Sequence, residues 1–113
     1  MHEFSIVVGI VNSVNEVLQS EKANEVKRID LAIGKLSGIE FQAFENAWPI
    51  ATQGTVLEKS QRVIQQIPGK AKCNSCGEVY GLREIYTLCP VCQGYSKEIL
   101  SGKELKLISI EVN

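Results

Sequence analysis

No stretch of this chain approaches the ~20 consecutive apolar residues of a membrane-spanning helix. The apolar run from Phe4 to Val11 follows His2 and Glu3, where a secretory leader would carry Lys or Arg, and no small-residue cleavage site comes after it. An excess of one charge is missing too, since 12 basic residues face 13 acidic ones. Nothing electrostatic therefore points to nucleic acid or an anionic membrane as partner. The chain has no glycine-rich phosphate loop, and its single histidine sits at position 2 rather than beside a nucleophile, which argues against an enzyme. Solenoid-scale repeats and low-complexity tracts are also absent. What remains is a 113-residue chain, 44% hydrophobic, expected in the cytosol as one domain or a small domain with an appendage.

Against these absences stand four cysteines, spaced Cys73-Asn74-Ser75-Cys76 and Cys89-Pro90-Val91-Cys92. Two such pairs a dozen residues apart can place four thiolates at the corners of a tetrahedron, the arrangement a structural Zn²⁺ takes. Gly77, Pro90 and Gly94 supply tight turns that let backbone N–H groups point at the sulfurs. Disulfides suit secreted proteins, and no secretory segment is recognisable. A thioredoxin-like redox motif needs one pair at a helix start, whereas here two pairs lie in turn chemistry.

Periodicity organises the rest. Phe4, Val7, Val11, Val14 and Leu18 form one stripe at helical spacing, so the Val- and Ile-rich opening reads as an amphipathic helix rather than a strand. Met1, His2 and Glu3 then lie at or just before its first turn. Alternation predicts a strand from Lys27 to Lys35. Ser37-Gly38-Ile39-Glu40 matches a capping box, with Ser37 as N-cap and Glu40 as its reciprocal partner. The helix that follows carries Phe41, Phe44, Ala47, Trp48 and Ala51 on one face, contains Pro49, and should stop near Gly54. Further strands are expected at Gln61–Ile67 and, well buried, at Leu105–Val112.

The predicted fold is α+β. A small mixed β-sheet carries two helices on one face, and the central strand–helix–strand unit forms a right-handed crossover. A zinc-ribbon lobe with rubredoxin-like knuckles is inserted into it. The expected boundaries are 1–69 with 103–113 for the α/β lobe and 70–102 for the zinc lobe. Some thirty residues with few apolar side chains need the metal in place of a core. Tyr80, Tyr86 and Tyr95 are expected to cover what core the ribbon has.

A lone histidine near a chain end has two readings. One is a solvated, frayed residue. The other is a chelate, because the terminal amine, the amide nitrogen of His2 and its imidazole can close fused rings on one ion, with Glu3 adding an oxygen. Nitrogen-rich tetragonal sites suit Ni(II) or Cu(II).

The opening Met1-His2-Glu3-Phe4-Ser5, the short α/β lobe, the Pro68-Gly69 step and the two cysteine pairs together resemble the hydrogenase maturation factor HypA family, over essentially the whole chain. The resemblance implies a metallochaperone that delivers nickel to [NiFe]-hydrogenase, in some organisms to urease. It implies a GTPase partner, the maturation factor HypB, and the hydrogenase large subunit as recipient. His2 would carry Ni²⁺, with Glu3 and Glu40 as further candidate ligands, while Cys73, Cys76, Cys89 and Cys92 would hold structural Zn²⁺. No nucleic acid or membrane partner is implied, and either a monomer or a homodimer is compatible. The rival reading is a zinc-ribbon module that binds protein or nucleic acid.

Overall fold

The computed structural model describes residues 2–112. Helix α1 runs His2–Glu21 and buries Val7, Val11, Val14 and Leu18, the predicted stripe less the half-buried Phe4. Helical spacing of these side chains outweighs the strand propensity of Val and Ile, because burial contributes more than local preference. The helix ends in a Schellman turn. Lys22 takes the left-handed conformation (φ 56°), Ala23 N–H donates to Leu18 C=O at 3.1 Å, and Lys22 N–H to Gln19 C=O at 3.4 Å.

Strand β1 (Val26–Gly34) leads to helix α2 (Phe41–Thr52), which continues through Pro49 and is followed by Gly54 at φ 77°. The expected capping box is not formed. The N-cap is Glu40, whose carboxylate accepts from Ala43 N–H, so the helix starts three residues beyond Ser37. Glu40 is preferred because its extended backbone (φ −81°, ψ 114°) lets its own side chain reach the third helical N–H, while Gly38 at φ 84° keeps the preceding turn out of the helix.

Strands β2 (Gln61–Ile67) and β6 (Leu105–Val112) flank β1 in a sheet of order β2-β1-β6. Lys35 N–H donates to Ile67 C=O, bringing the ends of β1 and β2 together as in a parallel pair. Gly34 N–H donates to Glu104 C=O, bringing the end of β1 to the start of β6 as in an antiparallel one. The sheet is therefore mixed. Strand β6 is not well buried: it occupies an edge, and Leu105 and Ile108 stay 43% and 47% exposed. Its alternation fits a sheet, but burial depends on edge position, which the strand's own residues do not encode.

A second sheet follows in the chain. Strands β3 (Gly69–Cys73), β4 (Val79–Leu82) and β5 (Lys97–Ser101) pair antiparallel in the order β4-β3-β5. The chain divides into two compact units, residues 1–31, 39–64 and 107–113, and residues 32–38 and 65–106. In the first, Phe44 and Trp48 meet at 5.8 Å between ring centroids, and Arg62 lies 5.0 Å over Trp48 while bonding Glu45 at 2.7 Å. In the second, Ala71, Cys73, Tyr80, Leu82 and Cys89 form the core, with Leu36 and Ile99 against it. Tyr86 and Tyr95 do not cover this core and are 66% and 59% exposed. They lie on the long turn between β4 and β5, and only Tyr80, on a strand, points inward.

Candidate metal centres

The two cysteine pairs sit in the same backbone turn used twice. Cys73 N–H donates to Glu78 C=O at 2.8 Å and Gly77 N–H to Cys73 C=O at 3.0 Å. Cys89 N–H donates to Gly94 C=O at 3.0 Å and Gln93 N–H to Cys89 C=O at 2.9 Å, at identical offsets. Both turns require a left-handed residue at the fourth place after the first cysteine, and they fill it with Gly77 (φ 80°) and Gln93 (φ 63°). Gly94 therefore supplies space rather than the turn. A Cβ there would lie 3.2 Å from Cys92 Sγ and 3.6 Å from Cys73 Sγ.

The sulfurs converge. All four lie within 4.8 Å of one another, with Cys73–Cys92 at 3.5 Å and Cys76–Cys89 at 3.6 Å. A tetrahedral Zn²⁺ with bonds of about 2.3 Å needs sulfurs roughly 3.8 Å apart, so the cluster lies close to the spacing the ion takes. Its electrostatics point the same way. Backbone N–H groups of Cys76, then of Ser75, bring the Cys73 thiol down to about 6 against desolvation. At Cys76 the Glu78 N–H also lowers the pKa, but desolvation and the sulfurs of Cys89, Cys73 and Cys92 outweigh it and push the thiol up to about 12. Cys92, helped by Gly94 N–H, is raised on balance, chiefly by Cys73. Four thiolates this close repel one another, and a divalent cation removes the conflict.

Cross-strand bonds fix the knuckles. Asn74 N–H donates to Ser96 C=O at 3.0 Å, and its side-chain amide donates to Ser96 Oγ at 2.8 Å. Lys97 Nζ donates to Ile85 C=O at 2.8 Å and lies 4.0 Å from the Tyr95 ring centroid, tying the ends of the turn that carries the second pair. No motif announces these partners. They become neighbours only when β5 pairs with β3.

At the other candidate centre His2 is exposed on the first described residue of α1, and Met1 lies outside the described residues. Glu3 Oε2 accepts from the backbone N–H of Glu40 at 3.2 Å. That bond holds the Glu3 carboxyl below its ordinary range. The two acidic candidates thus meet across 37 residues of sequence, with Glu3 satisfying the N–H that a capping-box partner would otherwise take. Among the described residues, the cysteines are the group of three or more such ligands that comes within metal-holding distance.

Fold and sulfur cluster define a small α+β protein with a four-cysteine cluster that fits a zinc knuckle. Residues 1–112 match the family model described as hydrogenase/urease nickel incorporation, metallochaperone, hypA. Curated relatives include the hydrogenase maturation factor HypA of Parabacteroides distasonis, 38% identical over 99% of this chain and 97% of the relative. That of Prosthecochloris aestuarii is 36% identical over 97% of each. The solution structure of the Ni metallochaperone HypA from Helicobacter pylori superposes with a TM-score of 0.67 at 22% identity, over 97% of this chain and 96% of that one. A second HypA solution structure gives 0.70 at 24% identity, over 100% and 97%. The chain belongs to the HypA family of nickel-incorporation metallochaperones, which act as hydrogenase maturation factors. Among the described residues no helix is long and apolar enough to cross a membrane.

Proposed function

We propose that this chain carries Ni(II) on the Met1 amine, the His2 amide nitrogen and the His2 imidazole, with Glu3 and Glu40 as the nearby carboxylates. The observation that carries the reading is the placement of His2: it is exposed at the start of α1, next to a Glu3 anchored on Glu40. A helix N-terminus carries roughly +0.5 elementary charge and opposes a cation, so carboxylates and a deprotonated amide are needed to offset it. A few ligands at an exposed chain end hold nickel moderately and release it by ligand exchange, as delivery requires. Cys73, Cys76, Cys89 and Cys92 hold Zn²⁺, whose role is to keep the knuckles folded rather than to react.

In this reading the chain is a carrier and not an enzyme. It works in the cytoplasm with the GTPase maturation factor HypB and passes nickel toward the hydrogenase large subunit. An imidazole must be unprotonated to ligate, so nickel binding weakens on acidification. The test is calorimetric titration of untagged protein with Ni²⁺ beside His2→Ala. Loss of nickel binding with zinc content and helix signal unchanged supports the assignment. Equal affinity in the two proteins refutes it and leaves a zinc-stabilised adaptor.

A further inference from the structure

The four sulfurs are not equivalent. Cys73 and Cys89, the first of each pair, are 1% and 0% exposed, while Cys76 and Cys92 are exposed. The difference follows from the shared turn. Cys73 ends a strand whose inward positions are Gly69, Ala71 and Cys73 itself, and the chain then swings outward so that residues 74–79 and 90–93 are all exposed. Hydrogen bonding adds to it. Cys73 Sγ takes backbone N–H groups from Cys76 and Ser75, whereas Cys76 has that of Glu78 and Cys92 that of Gly94. With all four held as thiolates by an ion, access decides which sulfur an oxidant meets first, and Cys76 and Cys92 are the accessible ones.

We infer that Cys76 and Cys92 form an oxidant-sensitive edge of the zinc site, where a hydroperoxide reacts first and the adjacent buried cysteine closes a disulfide that expels the ion. The inference rests on the zinc reading of the cluster. Each exposed sulfur has its resolving partner already in place, Cys73 at 3.5 Å from Cys92 and Cys89 at 3.6 Å from Cys76. In the first step the exposed thiolate attacks one oxygen of hydrogen peroxide. An S–O bond forms, the O–O bond breaks, and the hydroxide that leaves takes a proton and becomes water. In the second step the buried thiolate attacks the sulfenic sulfur, the S–S bond forms, the S–O bond breaks, and a second hydroxide leaves as water. Two sulfurs together lose two electrons and the peroxide gains them. Zinc, left with half its thiolates, departs.

The consequence is confined to residues whose core contains these sulfurs. Two of the five buried residues of that core are Cys73 and Cys89, so a cross-linked, metal-free cluster loosens β3, β4 and β5. Reduction by a thiol restores four thiolates and the capacity to take zinc back.

The test uses the zinc-loaded full chain. Substoichiometric N-ethylmaleimide is applied and singly modified protein is mapped by peptide mass spectrometry, so that the first hit is read before the site collapses. Adducts at Cys76 and Cys92 should exceed those at Cys73 and Cys89 about tenfold or more. Equal labelling, or preference for the buried pair, overturns the inference. In parallel, hydrogen peroxide is added with a chromogenic chelator present. Zinc release in step with Cys73–Cys92 or Cys76–Cys89 disulfides, reversed by dithiothreitol, supports it. Release without a disulfide, or disulfide without release, contradicts the expulsion step. Zinc content measured before treatment tests the zinc reading by itself: protein that holds no zinc overturns the expulsion step whatever the labelling order.

Discussion

The helical unit buries Phe44, Ile29, Leu31 and Leu57 completely, together with Val7 and Val14 of α1, whereas the unit of β3, β4 and β5 has a core of Ala71, Cys73, Tyr80, Leu82 and Cys89. One unit is held by aromatic and branched side chains from two helices, from β1 and from the turn after α2. The other has two cysteines of the sulfur cluster in a core of five and leaves Val79, Ile85, Leu88 and Val91 exposed. A hydrophobic core forms wherever enough apolar area can leave water. A short, turn-rich segment cannot collect that area, and in the proposed reading metal–thiolate bonds supply the missing stabilisation.

Zinc removal should separate the two units most sharply. Structural zinc contributes about 10–16 kcal/mol of apparent binding free energy in small zinc peptides. Chelation should therefore expose the amides of residues 69–101 to hydrogen exchange while the helical circular-dichroism signal of α1 and α2 persists. Continued protection around Cys73 and Cys89 after chelation would show that this core stands without metal. Phe44→Ala probes the opposite side of the comparison. Removing a fully buried ring from α2 should cost about 3–5 kcal/mol in denaturant unfolding of the helical unit. Its zinc content should be unchanged, and a loss of zinc would show that the two units depend on each other.

Smaller effects are expected where each unit forces a non-glycine residue into the left-handed region, Lys22 in one and Gln93 in the other. Relief of that conformation offsets the added freedom of the unfolded chain, so Lys22→Gly and Gln93→Gly should each stabilise by about 0.5–1 kcal/mol. The Lys22 variant should raise the midpoint of helix loss, and the Gln93 variant should slow zinc transfer to a chelator. The least effect is at the Glu3–Glu40 contact. Its Glu3 carboxyl titrates below the ordinary 4.5 because Glu40 N–H favours the charged form. The stabilisation is therefore complete above that pH and is lost as pH falls through the lowered value. The Glu40 amide resonance should follow this titration, and Glu3→Gln should abolish it.

Much of this was legible in the chain because local pattern and structure agree. The cysteine spacing gave the cluster, and the limits expected for β2 and β6 match those found. What was not legible depends on contacts between distant residues. Glu40 became the N-cap with Glu3 as its partner, and no window of sequence contains both. Strands β3 and β5 are short and carry Lys70, Lys72, Lys97 and Glu98 on exposed or half-exposed positions, so their alternation is visible only once they pair. The exposure of Tyr86, Tyr95 and Ile108 follows from turn and edge positions that composition does not reveal.

The proposed division of labour between the two regions is tested most directly by adding a single residue ahead of Met1 and measuring nickel and zinc in the same sample. The account predicts a protein that keeps its full zinc complement and its folded spectrum but no longer retains nickel. Nickel retained at wild-type stoichiometry, or lost only together with zinc, would contradict it.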